Sequence, residues 1–499
     1  MPNHSYFSRL LQKNIWIYFF SFLIAPTGYI VKIITASSVS IEELGVLYGV
    51  MSLFFIAGSY NDFGMTESLN YFLPEYLHKK DTKKITNTFS IALVTQLISS
   101  TILSGLMIFG ASFLAEHYFH DPIAATIIYI LTIQFFAENI FRTLNIFFQA
   151  IQDTKAQKLT DFLRMLLLVA GACFLWYFNL DTIYAYAWNW SVSVIFWVCI
   201  SLAYLVIRYH EYFTLEGWIF DKASYIHILK YAIWAMLAAN VGMLLSQVDM
   251  QMIIYILGPR DAWYYTTYIS LIRIPFIFLL PGVFFLFPVF SDLLKRNETD
   301  KVATILTFFY ELFSILALMM TSFFLIFWDA LTMTLFGDAF DTSAKILLYS
   351  TPFLIFNFLM QIDFQILSAT GRPRARMMIL LSAIFLNVIT NYIFIHLWWV
   401  VGSAFAAGLG WMYIWSLSFR YTRSYLTSFR WSMFFRNIVG VWLLSYCLIT
   451  VDIMQYFHGR LWLFVWILCA IGLYGVVFMA LNWSEFRRFK KIFSSRNLW

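Results

Sequence analysis

Residues Gly45–Lys84 read GVLYGVMSLFFIAGSYNDFGMTESLNYFLPEYLHKKDTKK. The stretch opens as an apolar run long enough to cross a bilayer, since about 20 helical residues rising 1.5 Å each cover a hydrocarbon core of roughly 30 Å. It then tapers through Asn61, Asp62, Gly64 and Glu67, passes Pro74, and ends in four lysines within six residues. An apolar span that empties into a lysine cluster orients itself, because cytoplasmic loops carry the excess of Lys and Arg. The lysine end is therefore expected in the cytoplasm.

The rest of the chain extends that reading. Hydrophobic residues make up 61% of the sequence and charged residues 12%, with a mean hydropathy of +0.74. A soluble domain carries about 25% charge, so a soluble protein is excluded and an all-α polytopic membrane protein is expected. After a short polar lead with Arg9 and Lys13, the apolar run from Ile15 to about Ala36 is too long for a signal-peptide core and shows no small-residue cleavage site. It reads as a first span, interrupted by Pro26 and Gly28. Further spans fall at about 45–73, 86–111, 122–150, 158–178 and 182–207, then, beyond a polar link Arg208–His227, at 228–256, 262–290, 302–327, 343–369, 376–397, 401–420, 435–452 and 461–481. The total is fourteen.

Charge placement supports that count. Of the 33 Lys and Arg residues, 26 fall in segments that an alternating path puts on the cytoplasmic side, two (Arg260 and Arg460) in outer loops, and five (Lys32, Arg142, Arg164, Arg273 and Lys345) within spans. Both termini are thus expected in the cytoplasm. The net charge of +6 is accounted for by these loops and asks for no nucleic acid. Trp328, Trp398, Trp399 and Trp431 lie near span ends, as interfacial belts require. The four cysteines sit in apolar runs without paired spacing and read as small core residues.

The chain also repeats itself. FQAIQDTKAQK at 148–158 aligns with LSATGRPRARM at 367–377, Pro74 with Pro288, and Arg208-Tyr209 with Arg420-Tyr421, at offsets of 219, 214 and 212. A six-span unit used twice fits these offsets. Three segments follow: a six-helix lobe over 1–210, a second over 225–425, and two additional helices with a basic tail over 430–499. Six is even, so the lobes share one orientation, and parallel repeats of this kind place a transported substrate at their interface.

The pattern Gly45-x-x-Tyr48-Gly49, Asp62-x-Gly64 and Pro74-Glu75 resembles the first helical hairpin of the polysaccharide-unit flippases, a branch of the multidrug/oligosaccharidyl-lipid/polysaccharide exporter superfamily. Asp249, Gly258, Tyr264 and Pro288 resemble the matching hairpin of the second half, and Ala369-x-Gly371-Arg372 fits as well. The resemblance implies a flippase in the bacterial inner membrane. It would carry polyprenyl-diphosphate-linked oligosaccharides to the outer leaflet by alternating access, without a cofactor. Membrane lipids and other polysaccharide-assembly membrane proteins would be its partners. The first span lacks the acid typical of the drug-exporting branch and the arginines typical of the peptidoglycan-precursor branch, offering only Lys32.

Charge inside spans is the signal for a site. A charged side chain at bilayer centre costs about 2.5–3.5 kcal/mol on insertion scales and usually faces a cavity or a partner. Lys32, Arg142, Arg273 and Lys345 come from spans one, four, eight and ten. Lining a cavity, they would suit a diphosphate, with arginine gripping phosphate oxygens bidentately and lysine acting as a point charge. The competing reading is local: Glu138 is four residues from Arg142, the spacing of an intrahelical ion pair, and the two lysines lie near enough to span ends to snorkel. Asp249, Glu311, Glu138 and Asp363 are candidates for a coupling ion or for counter-charge, and Asp62 and Glu67 for a gate at the cytoplasmic mouth.

Other chemistry finds little support. The chain has no phosphate-binding Gly-x-x-x-x-Gly-Lys-Ser/Thr loop and no His-Glu-x-x-His, and His117 and His120 have no further ligands beside them. An integral-membrane polymerase, ligase or glycosyltransferase would need a sizeable outer loop, and the longest expected here is about Trp328–Thr342. A drug or small-solute exporter on the same fold is the remaining alternative.

Overall fold

The computed structural model describes residues 20, 23–24, 26–151, 153–218, 221–337, 340–426 and, singly, 432, 439 and 476. Expected spans thirteen and fourteen and the basic tail lie outside the described residues. Those that are described form no strand, and nine of their helical stretches are long and apolar enough to cross a membrane. The all-α polytopic fold follows from the solvent: in hydrocarbon every backbone N–H and C=O must be bonded within the segment.

Helix α1 covers 26–38, followed by α2 (Ile41–Asn61), α3 (Met65–His78), α4 (Thr82–Leu114), α5 (Ile123–Ala150), α6 (Thr154–Tyr177), α7 (Ile183–Tyr209) and α8 (Lys222–Leu257). Then come α9 (Pro259–Lys295), α10 (Thr299–Phe336), α11 (Asp341–Ser350), α12 (Leu354–Ala369) and α13 (Pro373–Thr422). Expected spans two to twelve all correspond to helices, and span one is helical over its described part from 26, with three differences in detail. The span expected at 45–73 is broken into α2 and α3. The span at 343–369 is divided into α11 and α12 by a 3₁₀ turn at Thr351–Phe353. The expected outer loop at Trp328–Thr342 is mostly helix, because α10 continues to Phe336.

Helix starts are written in the sequence. Ser40 and Glu43 form a capping box at α2, each side chain bonding the other residue's backbone N–H at 3.3 and 3.1 Å. Asp81 and Asp153 each accept a first-turn N–H at 3.0 Å, opening α4 and α6 beside neighbouring lysines. Asp221 does the same for α8, and its bonds from Ser224 and Ala223 hold the carboxyl below its ordinary value.

α13 is two helical arms joined at Trp398–Trp399, where Trp399 adopts φ 57° and the chain turns back. A Cβ on Gly402 would meet the Phe394 carbonyl oxygen at 1.9 Å, although residues eight apart in a straight helix stand about 12 Å apart. This reversal separates expected spans eleven and twelve and leaves both tryptophans exposed.

The chain divides into two compact units, Met1–Thr266 and Thr267–Trp499. The sequence repeat puts α8 with the second lobe; in the structure α8 packs against α2 and α3 and belongs to the first unit. Around α3 and the start of α4 the first unit is filled by an aromatic and aliphatic cluster including Leu69, Phe89, Phe147 and Phe148. The polar link after α7 folds down on it, with the Thr86 hydroxyl donating to Tyr212 O at 3.0 Å and accepting from Thr214 N at 3.0 Å. In the second unit Phe276 stacks on Phe358 at 4.4 Å, and Phe313 meets Phe358 edge-on.

Candidate functional site

The interruption between α2 and α3 gathers the polar groups of the first unit. Phe63 and Gly64 both take left-handed conformations, φ 49° and 81°. Gly64 is required twice: a side chain there would be strained, and its Cβ would lie 2.0 Å from the Ala232 carbonyl oxygen of α8. Asp62, 2% exposed, closes α2, and its side chain bonds the start of the new helix, whose N-cap position is Gly64. Its carboxylate accepts from Gly64 N at 3.0 Å, from Thr66 N at 2.9 Å and from the Thr66 hydroxyl. The Asp-x-Gly spacing is thus explained as a helix restart inside the bundle.

Stopping α2 in this way leaves carbonyls without intrahelical partners, and neighbouring helices supply donors. Arg142 of α5 donates through Nη1 to Gly58 O at 3.2 Å, and Asn240 of α8 donates to Ser59 O. A guanidinium at this position also meets the negative end of the helix dipole. Glu67, one turn into α3, is within electrostatic reach of Arg142 and Asp62. Asn61 donates to the Ser100 hydroxyl at 2.7 Å, tying α2 to α4.

Glu138 does not pair with Arg142 four residues along. It reaches Arg164 of α6 at 3.0 Å, and that guanidinium also lies over the Phe141 ring. The remaining expected residues of the first unit stand apart from this cluster. The Lys32 ammonium lies 5.2 Å over the Tyr48 ring, a cation–π distance. Asp249 is buried and accepts from the Tyr265 hydroxyl at 2.7 Å.

In the second unit, Asp363 is fully buried in α12 and accepts from Tyr310 of α10 at 2.5 Å and Ser418 of α13 at 2.8 Å. Glu311, next to Tyr310, is also buried. Arg273 is exposed on α9. Lys345 is exposed as well and pairs with Asp341 at 2.6 Å within α11.

Sequence reading missed a seam between α2 and α8. Ser52 donates to Gln247 at 2.6 Å, Gln251 donates to Ser52 at 2.9 Å, and Tyr118 donates to Gln251 at 2.6 Å. The signal was available: Asn240, Gln247 and Gln251 stand at i, i+7 and i+11 along α8, one face at the helical period.

Comparison with known proteins agrees with this architecture. Residues 10–294, more than half of the chain, match the family model described as "Polysaccharide biosynthesis protein". An uncharacterized membrane protein of Methanocaldococcus jannaschii is 23% identical over 429 residues, covering 82% of this chain and 83% of that one. Among solved structures, the lipid II flippase MurJ in an inward closed conformation superposes with a TM-score of 0.70 at 14% identity, covering 95% of this chain and 99% of MurJ. An inward-facing multidrug resistance MATE family transporter of the MOP superfamily gives 0.69 at 13% identity, covering 84% and 95%. The fold is that of the exporter superfamily that the hairpin residues resemble.

Proposed function

The chain belongs to the polysaccharide biosynthesis protein family, and from that premise we propose that it is a flippase. Its substrate is a polyprenyl-diphosphate-linked oligosaccharide, moved from the cytoplasmic to the outer leaflet of the cell's inner membrane for surface-polysaccharide assembly. Family membership, joined to a transporter fold shared with a lipid II flippase, carries this reading. The headgroup crosses through a polar path by alternating access of the two lobes while the polyprenyl tail stays in lipid, so neither part is desolvated at full cost. The protein acts as a transporter and not as an enzyme, with both termini in the cytoplasm, as the lysine-rich loops favour.

In this reading Arg142, Arg273, Lys32 and Lys345 offer positive charge to the diphosphate. Asp62 and Glu67 shape the cytoplasmic mouth at the α2–α3 interruption. Of the acids, Asp363, Asp249 and Glu311 are the candidates to bind a coupling ion. Glu138 acts as counter-charge, since it already holds Arg164 at 3.0 Å.

The test is reconstitution in liposomes with a labelled lipid-linked oligosaccharide, following whether the headgroup becomes accessible on the far side. Crossing that depends on the protein is the expected result. Arg273→Ala is expected to abolish it with folded protein retained, and wild-type crossing in that variant removes Arg273 from the path. Crossing indifferent to proton and sodium gradients removes the coupling role from the acids.

A further inference from the structure

Past Phe63, which sits in the interruption, α3 carries a line of side chains at every fourth position: Glu67, Tyr71 and Glu75. Glu67 is half-buried and the other two are exposed, Tyr71 at 57%. Tyr231 of α8, itself exposed, stacks on Tyr71 with ring centroids 4.3 Å apart and planes 23° apart. Buried Phe72 supports the pair edge-on, 5.6 Å from Tyr231 and 4.9 Å from Tyr71. The backbone approach at Gly64–Ala232 brings the two helices close enough for this stack. Glu67, one turn before Tyr71 on the same face, is within electrostatic reach of both Arg142 and Tyr231.

Three ligand chemistries can be weighed against this surface. A polyprenyl tail gains nothing from a carboxylate, and a bare diphosphate is repelled by one. A pyranose ring meets both halves: the C–H groups of one sugar face pack on a π face, and the hydroxyls bond to a carboxylate and a guanidinium. Interfacial belt tyrosines account for the exposure of the rings but not for a stacked pair set beside a half-buried acid. We propose that Tyr71 and Tyr231, with Glu67 at their edge, form a platform for one sugar ring of the substrate. This rests on the flippase reading and assigns its saccharide-facing part.

Binding to the full-length protein in nanodiscs tests it. The probes are undecaprenyl diphosphate and the same lipid bearing one glucose, one galactose or one N-acetylglucosamine. The wild type is expected to bind at least one sugar-bearing form more tightly than the sugar-free lipid. Tyr71→Leu and Tyr231→Leu, which keep apolar bulk, are expected to remove about tenfold of that advantage, the scale of one aromatic contact, and to leave sugar-free binding unchanged. Tyr71→Trp is expected to retain the advantage. An advantage that survives both leucine variants overturns the platform, as does equal weakening of every probe. If the wild type binds the sugar-free lipid and no sugar-bearing form more tightly, the platform alone falls. If it binds no probe, the flippase reading falls and the platform with it.

Discussion

Two of the expected spans are interrupted, and they are interrupted differently. Between α11 and α12 the chain stays right-handed: Ser350, Thr351, Phe353 and Leu354 all keep helical φ and ψ. Pro352 lacks an N–H, so the ladder loses a bond and tightens into one 3₁₀ turn, with the Thr351 hydroxyl donating to Leu347 O at 2.6 Å. That break is uncharged, and the Thr321 hydroxyl of α10 donates to Thr351 O across it at 3.5 Å. Between α2 and α3 the chain passes through two left-handed residues, exposes helix ends inside the bundle, and gathers Glu67 of α3, Arg142 of α5 and Asn240 of α8 around Asp62. The proline interruption takes one hydroxyl from a neighbouring helix, whereas the left-handed one takes a guanidinium and an amide. The second kind ties α2 and α3 to α5 and α8.

The sharpest contrast is expected from exchanging the two key residues. Gly64→Ala adds left-handed strain of about 1–2 kcal/mol and overpacking of about 1–3 kcal/mol against Ala232. Most folded protein should be lost, read by size-exclusion profile and thermal unfolding. Pro352→Ala, at the other break, is expected to stay within about 1 kcal/mol of wild type, since a helical residue already fits there. A tolerated Gly64→Ala would mean that the two breaks are alike.

Asp62→Ala should cost about 1–2 kcal/mol, the scale of a lost helix cap, read by the same melt. Arg142→Ala and Glu67→Gln should show a coupling of about 0.5–1 kcal/mol in a double-mutant cycle if the two charges act on each other, and additive melts would separate them. The smallest effect is expected at Lys345–Asp341, an exposed pair beside the second interruption. Asp341→Asn should leave melting and headgroup crossing unchanged.

Much of this was legible from residue order. The twelve described spans, the capping box at Ser40, the capping aspartates and the turn at Trp398–Trp399 all come from local periodicity or local hydrogen bonding, which the chain carries with it. The break at Asp62–Gly64 was half legible: the polar taper was visible, but the apolar run on either side read as one helix. The partners of the buried charges were not legible. Glu138 has Arg142 one turn away, yet bonds Arg164 from 26 positions along the chain. Tyr71 and Tyr231 are 160 positions apart, and no pattern in either helix announces the stack.

By itself the sequence determined that this chain is an all-α polytopic membrane protein and where its apolar segments and its clusters of basic residues fall. Those follow from transfer free energies that act on each segment separately. Only the tertiary structure decided which acid meets which base, why α2 stops at Asn61, and where two tyrosines lie face to face. Such choices depend on distances between helices remote in the chain; for the tyrosine pair, one glycine lets α3 approach the backbone of α8.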